Sequence, residues 1–206
     1  MDSIIFDLDG TMWDSRQEVC TAWNEVLKDY DVKKKEVSVE DMTATMGMLL
    51  VDIGKKLFPE LSNRDLEDLI NACCHRENEY LSKKGAKLFD NLEYTLERLS
   101  KKYGLFIVSN CNKGYIEAFL EAHKLGRYFT DKECPGSSGL NKAGNIKLII
   151  KRNNLKSPIY VGDTQGDCNS AIETGIPFVY AKYGFGKNVE GYSYTIDKIE
   201  DLTVMF

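Results

Sequence analysis

Three short apolar runs, each ending on a polar side chain, constrain this chain more than any other feature. They are Ser3 to Asp7 (SIIFD), Leu105 to Ser109 (LFIVS) and Ile159 to Asp163 (IYVGD). Runs that are apolar almost throughout read as strands buried on both faces. Helical patterns follow each of them, and strands alternating with helices imply a parallel sheet. The expected fold class is therefore α/β, a Rossmann-like parallel sheet core with helices on both faces.

The stretch after the first strand departs from that alternation. From Ser15 to about Tyr30, Val19, Trp23, Val26 and Leu27 recur at helical spacing, and Ser15 with Glu18 reads as a capping box. Ser38 with Asp41, and Ser62 with Asp65, are further helix starts, and Leu66, Leu69, Ile70 and Cys73 keep the helical period. No strand pattern occurs between Ser15 and Ser82. These residues are expected to form an inserted α-helical cap subdomain, 15–83, with the core made of 1–14 and 84–206. Within the core, helices are expected near Asn91 to Lys102, Tyr115 to His123, Lys142 to Asn153 and Gln165 to Thr174. Arg127 to Thr130 reads as a short strand, Gly136 to Gly139 as a loop, and Pro177 to Ala181 as the last strand.

Charge narrows the partners. The formal net charge is -5, and the lysine pairs are scattered among acids. Nucleic-acid binding needs a basic stripe, so no nucleic-acid partner is expected. No run approaches the roughly 18 apolar residues of a membrane span, and the N-terminus lacks the pattern of a signal peptide. Six cysteines occur without zinc-site spacing and read as free thiols in a reducing cytoplasm. A monomer is the default expectation.

In an open parallel sheet, ligands sit beyond the carboxyl ends of the strands. Three such ends carry polar groups here: Asp7 with Asp9, Ser109 with Asn110, and Asp163 with Asp167. Asp7 and Asp9, two apart, lie toward the same side of an extended segment, and Gly10 permits a sharp turn after them. Paired carboxylates suit cation binding through oxygen, or a nucleophile beside an acid; the same residues also suit an Asx-turn. Asp167, four residues beyond Asp163, either faces the same site or complements the dipole of the next helix. Ser109, Asn110 and Lys142 offer donors and a compact positive charge suited to phosphate oxygens.

FDLDGT at Phe6 to Thr11, Ser109-Asn110, Lys142 and GDTQGD at Gly162 to Asp167 resemble, in order, the four motifs of the haloacid dehalogenase superfamily. The phosphoglycolate phosphatase-like branch, with a small helical cap after the first strand, is the most similar. The resemblance implies a Mg²⁺-dependent phosphatase acting on a small phosphorylated substrate through an aspartyl-phosphate. It implies Asp7 as nucleophile and Asp9 as general acid, then base, with a pKa raised by burial and nearby acids. Metal ligands would be Asp7, Asp163 and the backbone carbonyl of Asp9, with Asp167 acting directly or through water. Thr11, Ser109, Asn110 and Lys142 would hold the phosphoryl group.

Two positions depart from the family pattern. Ala143 follows Lys142 where many relatives have proline, which leaves Lys147 and Lys132 as alternative cations. Trp13 stands where a small aliphatic residue is common, either narrowing the pocket mouth or packing inside. Rival functions have their own signatures. A β-phosphoglucomutase-like mutase tends to carry a cap arginine, whereas the cap loop here reads Met48-Leu49-Leu50 and suggests an apolar wall. A dehalogenase lacks an acid at the position of Asp9. Phosphonate hydrolysis needs a cap lysine, for which Lys55 and Lys56 are candidates. A non-catalytic binding protein would have no need of every acid.

Overall fold

A computed structural model describes residues 1–206. The chain runs β1 (Ser3–Phe6), β2 (Trp13–Asp14), α1 (Arg16–Leu27), α2 (Val39–Thr43), α3 (Leu50–Leu57), α4 (Asn63–Lys84), β3 (Lys87–Leu88) and α5 (Leu92–Ser100). It continues with β4 (Gly104–Val108), α6 (Tyr115–His123), β5 (Asp131–Glu133), α7 (Pro135–Ser138), α8 (Lys142–Arg152) and β6 (Pro158–Gly162). It ends with α9 (Gln165–Thr174), β7 (Phe178–Ala181), β8 (Tyr194–Ile196) and α10 (Leu202–Met205).

Six strands form one sheet in the order β5-β4-β1-β6-β7-β8, parallel throughout. β1 lies between β4 and β6, with Phe6 opposite Ile107 on one side and Val161 on the other. The three polar strand ends therefore become neighbours, although more than a hundred residues separate Asp7 from Ser109 and Asp163. Alternation along the strands divides the core between the sheet's faces. Ile4, Phe6, Leu105, Ile107, Ile159 and Val161 join one cluster, while Ile5, Phe106, Val108 and Tyr160 join another with Ile146, Ile149 and Ala171 of α8 and α9. The α/β reading of the sequence is correct, and the sheet has helices on both faces.

Between β2 and β3 the chain is helical, α1 to α4, and no strand interrupts it. Ser38 caps α2 through a reciprocal box with Asp41, and the Ser62 hydroxyl accepts from the Asp65 N–H to cap α4. α1 packs along α4, and the apolar cluster continues through the insertion (Trp23, Leu57, Phe58, Leu69) into the sheet without a break.

Four local readings need correction. Ser15 does not cap α1 with its side chain; its hydroxyl is engaged elsewhere. Arg127 to Thr130 is no strand: Gly126–Tyr128 is a 3₁₀ turn, and the strand follows as Asp131–Glu133. Those three charged residues suit an exposed sheet edge, where charge blocks pairing with another chain, and Arg152 pairs with Asp131 and Glu133. Gly136 to Gly139 is not wholly loop, because Pro135 starts the short helix α7. Pro177 to Ala181 is not the last strand, since β8 adds an edge beyond it.

The continuous core predicts that insertion and sheet unfold together. Leu69→Ala should cost roughly 2–5 kcal/mol, the range for a truncated buried leucine. Urea unfolding followed by tryptophan fluorescence and far-ultraviolet circular dichroism should show one shared transition in both proteins. Separate transitions would show that the insertion has a core of its own.

Candidate active site

β1 delivers Asp7 to the centre of the sheet's carboxyl edge, where its N–H is fixed by the Val161 carbonyl at 2.8 Å. β6 delivers Asp163, fully buried, whose Oδ2 accepts from the N–H groups of Phe185 (2.6 Å) and Gly186 (3.2 Å). Asp167 sits in the first turn of α9. Its Oδ2 accepts from the Thr164 N–H at 2.9 Å and hydroxyl at 2.6 Å, a reciprocal capping box. Both alternatives for Asp167 therefore hold: one oxygen caps the helix, and the other faces the site. Oxygens of Asp7, Asp163 and Asp167 lie within 4.8 Å of one another.

Lys142 opens α8, whose N-cap Asn141 accepts from the Gly144 N–H. The buried ammonium donates to Asp7 Oδ1 at 3.0 Å and Asp167 Oδ1 at 2.5 Å. Lys147 and Lys132 pair instead with Glu173 and Glu117 on the surface. Burial and repulsion from Asp167 raise the pKa of Asp7, with Lys142 opposing. Burial, Asp167 and Asp7 push Asp163 well above the carboxylate range.

These residues fit a hard divalent cation. Asp163 Oδ1 is buried with no hydrogen-bond partner. Three carboxylates face one ammonium, and oxygen donors suit Mg²⁺. A bound cation would reverse the upward shifts by stabilising the charged forms. The backbone closes tightly around the acids. Gly10 has φ +78°, and a Cβ there would stand 2.3 Å from Asp163 Oδ2.

Asp9 is held differently. Its Oδ1 accepts from Trp13 Nε1 (2.8 Å), Ser15 Oγ (2.5 Å) and Tyr115 Oη (2.9 Å), and the two hydroxyls lie 2.8 Å apart. Burial raises the Asp9 pKa against the pull of these donors and Lys142, so the expected direction holds with burial as its first cause. Trp13 is fully buried, edge-on to Tyr115, Phe119 and His123. It packs and orients Asp9, and it is not part of the cleft wall.

A cleft of about 560 Å³, counting its open mouth, is lined by Asp7, Asp9, Ser109, Asn110 and Lys142 on the core side and by residues of the insertion opposite. Asn110 Nδ2 donates to the Gly47 carbonyl at 2.9 Å, linking the two sides. Met48 and Leu50 line the cleft, as an apolar wall requires, whereas Leu49 does not. Thr11 is fully buried outside the cleft with its hydroxyl unpartnered. Lys55 lines a separate cleft, and Lys56 donates to the Ala44 carbonyl.

Sequence reasoning missed Ser15, Tyr115, Asn112 and Glu77. Glu77 is buried in the cleft, accepting from Trp23 Nε1 at 2.5 Å and from Asn112 Nδ2. Its signal was legible: it continues the buried stripe Leu66, Leu69, Ile70, Cys73, Cys74, Leu81 of α4, and an acid on such a stripe marks a site. Ser15 and Tyr115 left no such mark, because serine before a helix reads as a cap and tyrosine among apolar residues reads as core.

A strand-end carboxylate beside an ammonium, in a buried cluster of three acids at the carboxyl edge of a parallel sheet, defines the class as an α/β enzyme core. The chain belongs to the haloacid dehalogenase-like hydrolase family, whose profile matches residues 4–181. It is similar to a phosphoglycolate phosphatase of Aquifex aeolicus, at 25% identity over 97% of this chain and 93% of the relative. A phosphoglycolate phosphatase of Aliivibrio fischeri is 25% identical over 88% and 84%. In fold it matches a haloacid dehalogenase-like hydrolase from Streptococcus pneumoniae with TM-score 0.86, at 22% identity, over 100% of this chain and 98% of that one. A structure from Haemophilus somnus, described as a predicted phosphoglycolate phosphatase, gives TM-score 0.85 at 23% identity over 100% and 97%. No helix is long and apolar enough to cross a membrane.

Burial raises the pKa of Glu77 to about 8 from its ordinary 4.5. Between those values the native chain holds a proton that the unfolded chain releases. Stability contributed by neutral Glu77 is thus complete below pH 4.5 and falls by about 1.4 kcal/mol per pH unit as pH rises toward 8. Glu77→Gln should remove that part of the slope and gain on wild type as pH rises. Urea unfolding at pH 5, 6.5 and 8 reads the difference; parallel slopes would contradict it.

Proposed function

We propose that this hydrolase is a Mg²⁺-dependent phosphatase that cleaves a small phosphorylated metabolite by way of a phosphoryl group carried on Asp7. The observation that carries the reading is the placement of Asp7, which lines the cleft with one oxygen tied to Lys142 and two further buried acids close beside it. Family membership and relatives named phosphoglycolate phosphatase support the broader class, a phosphoric monoester hydrolase.

Asp7, Asp163, Asp167 and the backbone carbonyl of Asp9 would hold Mg²⁺. When bound, the ion would offset the charge that otherwise sets Asp7 against an anionic phosphate. Lys142, Ser109 and Asn110 would orient the phosphate oxygens; phosphoryl transfer rests mainly on such positioning and charge stabilisation.

In the first step an Asp7 oxygen bonds to phosphorus, the bond to the leaving oxygen breaks, and Asp9 gives that oxygen its proton. In the second, water attacks the phosphorus, Asp9 takes a water proton, the bond to Asp7 breaks and phosphate leaves. Trp13, Ser15 and Tyr115 fix Asp9 for both transfers. We read residues 15–83 as a cap that shields the first step from water, with Gly47 and Met48 forming part of its closing edge. The six unpaired thiols support a reducing, cytoplasmic setting, and we read the chain as a monomer without nucleic-acid or membrane partners.

Asp7→Asn keeps the shape and removes the nucleophile. Phosphate release from a panel of small phosphoesters should fall on the order of 10³-fold or more, with circular dichroism unchanged. Chelation should abolish turnover of the wild type, and added Mg²⁺ should restore it. Full activity in Asp7→Asn, or indifference to chelation, would refute the assignment.

A further inference from the structure

The proposed phosphatase reading leaves the leaving group open, and the cleft's far wall constrains it. Across the cleft from Asp7 and Lys142 the insertion contributes Trp23, Met42, Met46, Met48, Leu50 and Ile53 to the lining. Lys142 is the sole cationic side chain on the lining, and both Asp7 and Asp167 engage it. The other ionisable carboxyls there are Asp9 and Glu77.

None of the insertion's cations lines this cleft. Arg16 lies 4.0 Å over the Phe185 ring and donates to Asp14 and Thr43. Arg76 is held by Glu25 and Glu79, and Lys34 by Asp41. A carboxylate on the leaving group would therefore enter a wall of thioethers and aliphatic chains beside a buried acid, with no counter-charge. Burying such an unpaired charge is strongly unfavourable, whereas an uncharged alkyl tail gains from the same surface. Methionines also adapt their shape to varied apolar groups.

We propose that this cleft selects phosphomonoesters of uncharged, largely apolar alcohols and rejects those whose alcohol bears a carboxylate. The relatives named for phosphoglycolate are thus no guide to this chain's preferred substrate. The methionine wall and the absence of a second cation on the lining set that selectivity, and the proposal rests on the phosphatase reading only for the chemistry that follows binding.

Two matched pairs test it. The non-hydrolysable phosphonates 3-methylbutylphosphonate and 3-phosphonopropionate share size and branching and differ in the terminal charge. Isothermal titration of the wild-type protein in Mg²⁺ buffer should show the uncharged analogue binding about 100-fold more tightly or better. Isobutyl phosphate should likewise exceed phosphoglycolate in kcat/KM by a similar factor, mostly through KM. Met48→Arg, which places a cation on the wall, should narrow the binding ratio at least about tenfold, and Ile53→Lys is the second variant should that protein fail to fold.

Equal or tighter binding of 3-phosphonopropionate by the wild type overturns the inference, whatever the variants do. Binding with the expected preference but without phosphate release sinks the phosphatase reading and leaves the pocket selectivity standing. Release that favours phosphoglycolate does the reverse.

Discussion

Three buried carboxylates meet one buried ammonium at the carboxyl edge of the sheet, and much of the structure answers that imbalance. Asp7, Asp163 and Asp167 bring three carboxyl groups into a region almost without solvent, against the single ammonium of Lys142. Such a cluster is stable only when hydrogen bonds and counter-charge compensate for lost hydration. The chain supplies part of this through the amides of Phe185 and Gly186 and the Thr164 cap. Asp163 Oδ1 still lacks a partner, so the protein by itself leaves the compensation incomplete. A divalent cation is the kind of group whose charge would complete it.

The topology explains why this cluster can exist. A parallel sheet points every strand's carboxyl end the same way, so acids placed at the ends of β1 and β6 meet without any loop having to bend toward the other. The tight packing follows from glycine. At Gly10 the positive φ and the 2.3 Å separation from Asp163 of any added Cβ let the turn after β1 lie directly on the acid. The loop after β7 reaches the same place, where a Cβ on Gly184 would stand 2.4 Å from the Gly10 carbonyl. The inserted helical layer covers this edge from the other side, and its apolar core merges with the sheet's.

The sheet and its acids were legible because their signals are local. An apolar run that ends on Asp states both the strand and its functional end. The helical nature of the insertion was legible for the same reason, since Ser38 and Ser62 cap helices as their spacing requires. Edge strands were illegible: β5 is built from Asp131, Lys132 and Glu133, residues that sheet propensity counts against. Ser15 was misread because a hydroxyl before a helix satisfies the capping pattern whether or not it bonds to the helix. Here tertiary structure offers it a buried carboxylate 2.5 Å away, and that partner wins. Tyr115, more than a hundred residues from Asp9, is visible only in three dimensions.

Asp7 and Asp9 show how two acids of the same type, two residues apart, one buried and one half-buried, come to rest among different partners. The partner of Asp7 is a charged ammonium, which opposes the upward push of burial and of Asp167 on its pKa. The partners of Asp9 are an indole and two hydroxyls, which are neutral and fixed in place. Neutral donors orient a carboxyl without forcing it to remain charged, and burial then favours the protonated form. The Trp13 ring is locked among Tyr115, Phe119 and His123, so its N–H holds Asp9 in one place. The large residue just after the first motif therefore gives Asp9 a fixed donor, which a small aliphatic side chain at that position would not offer.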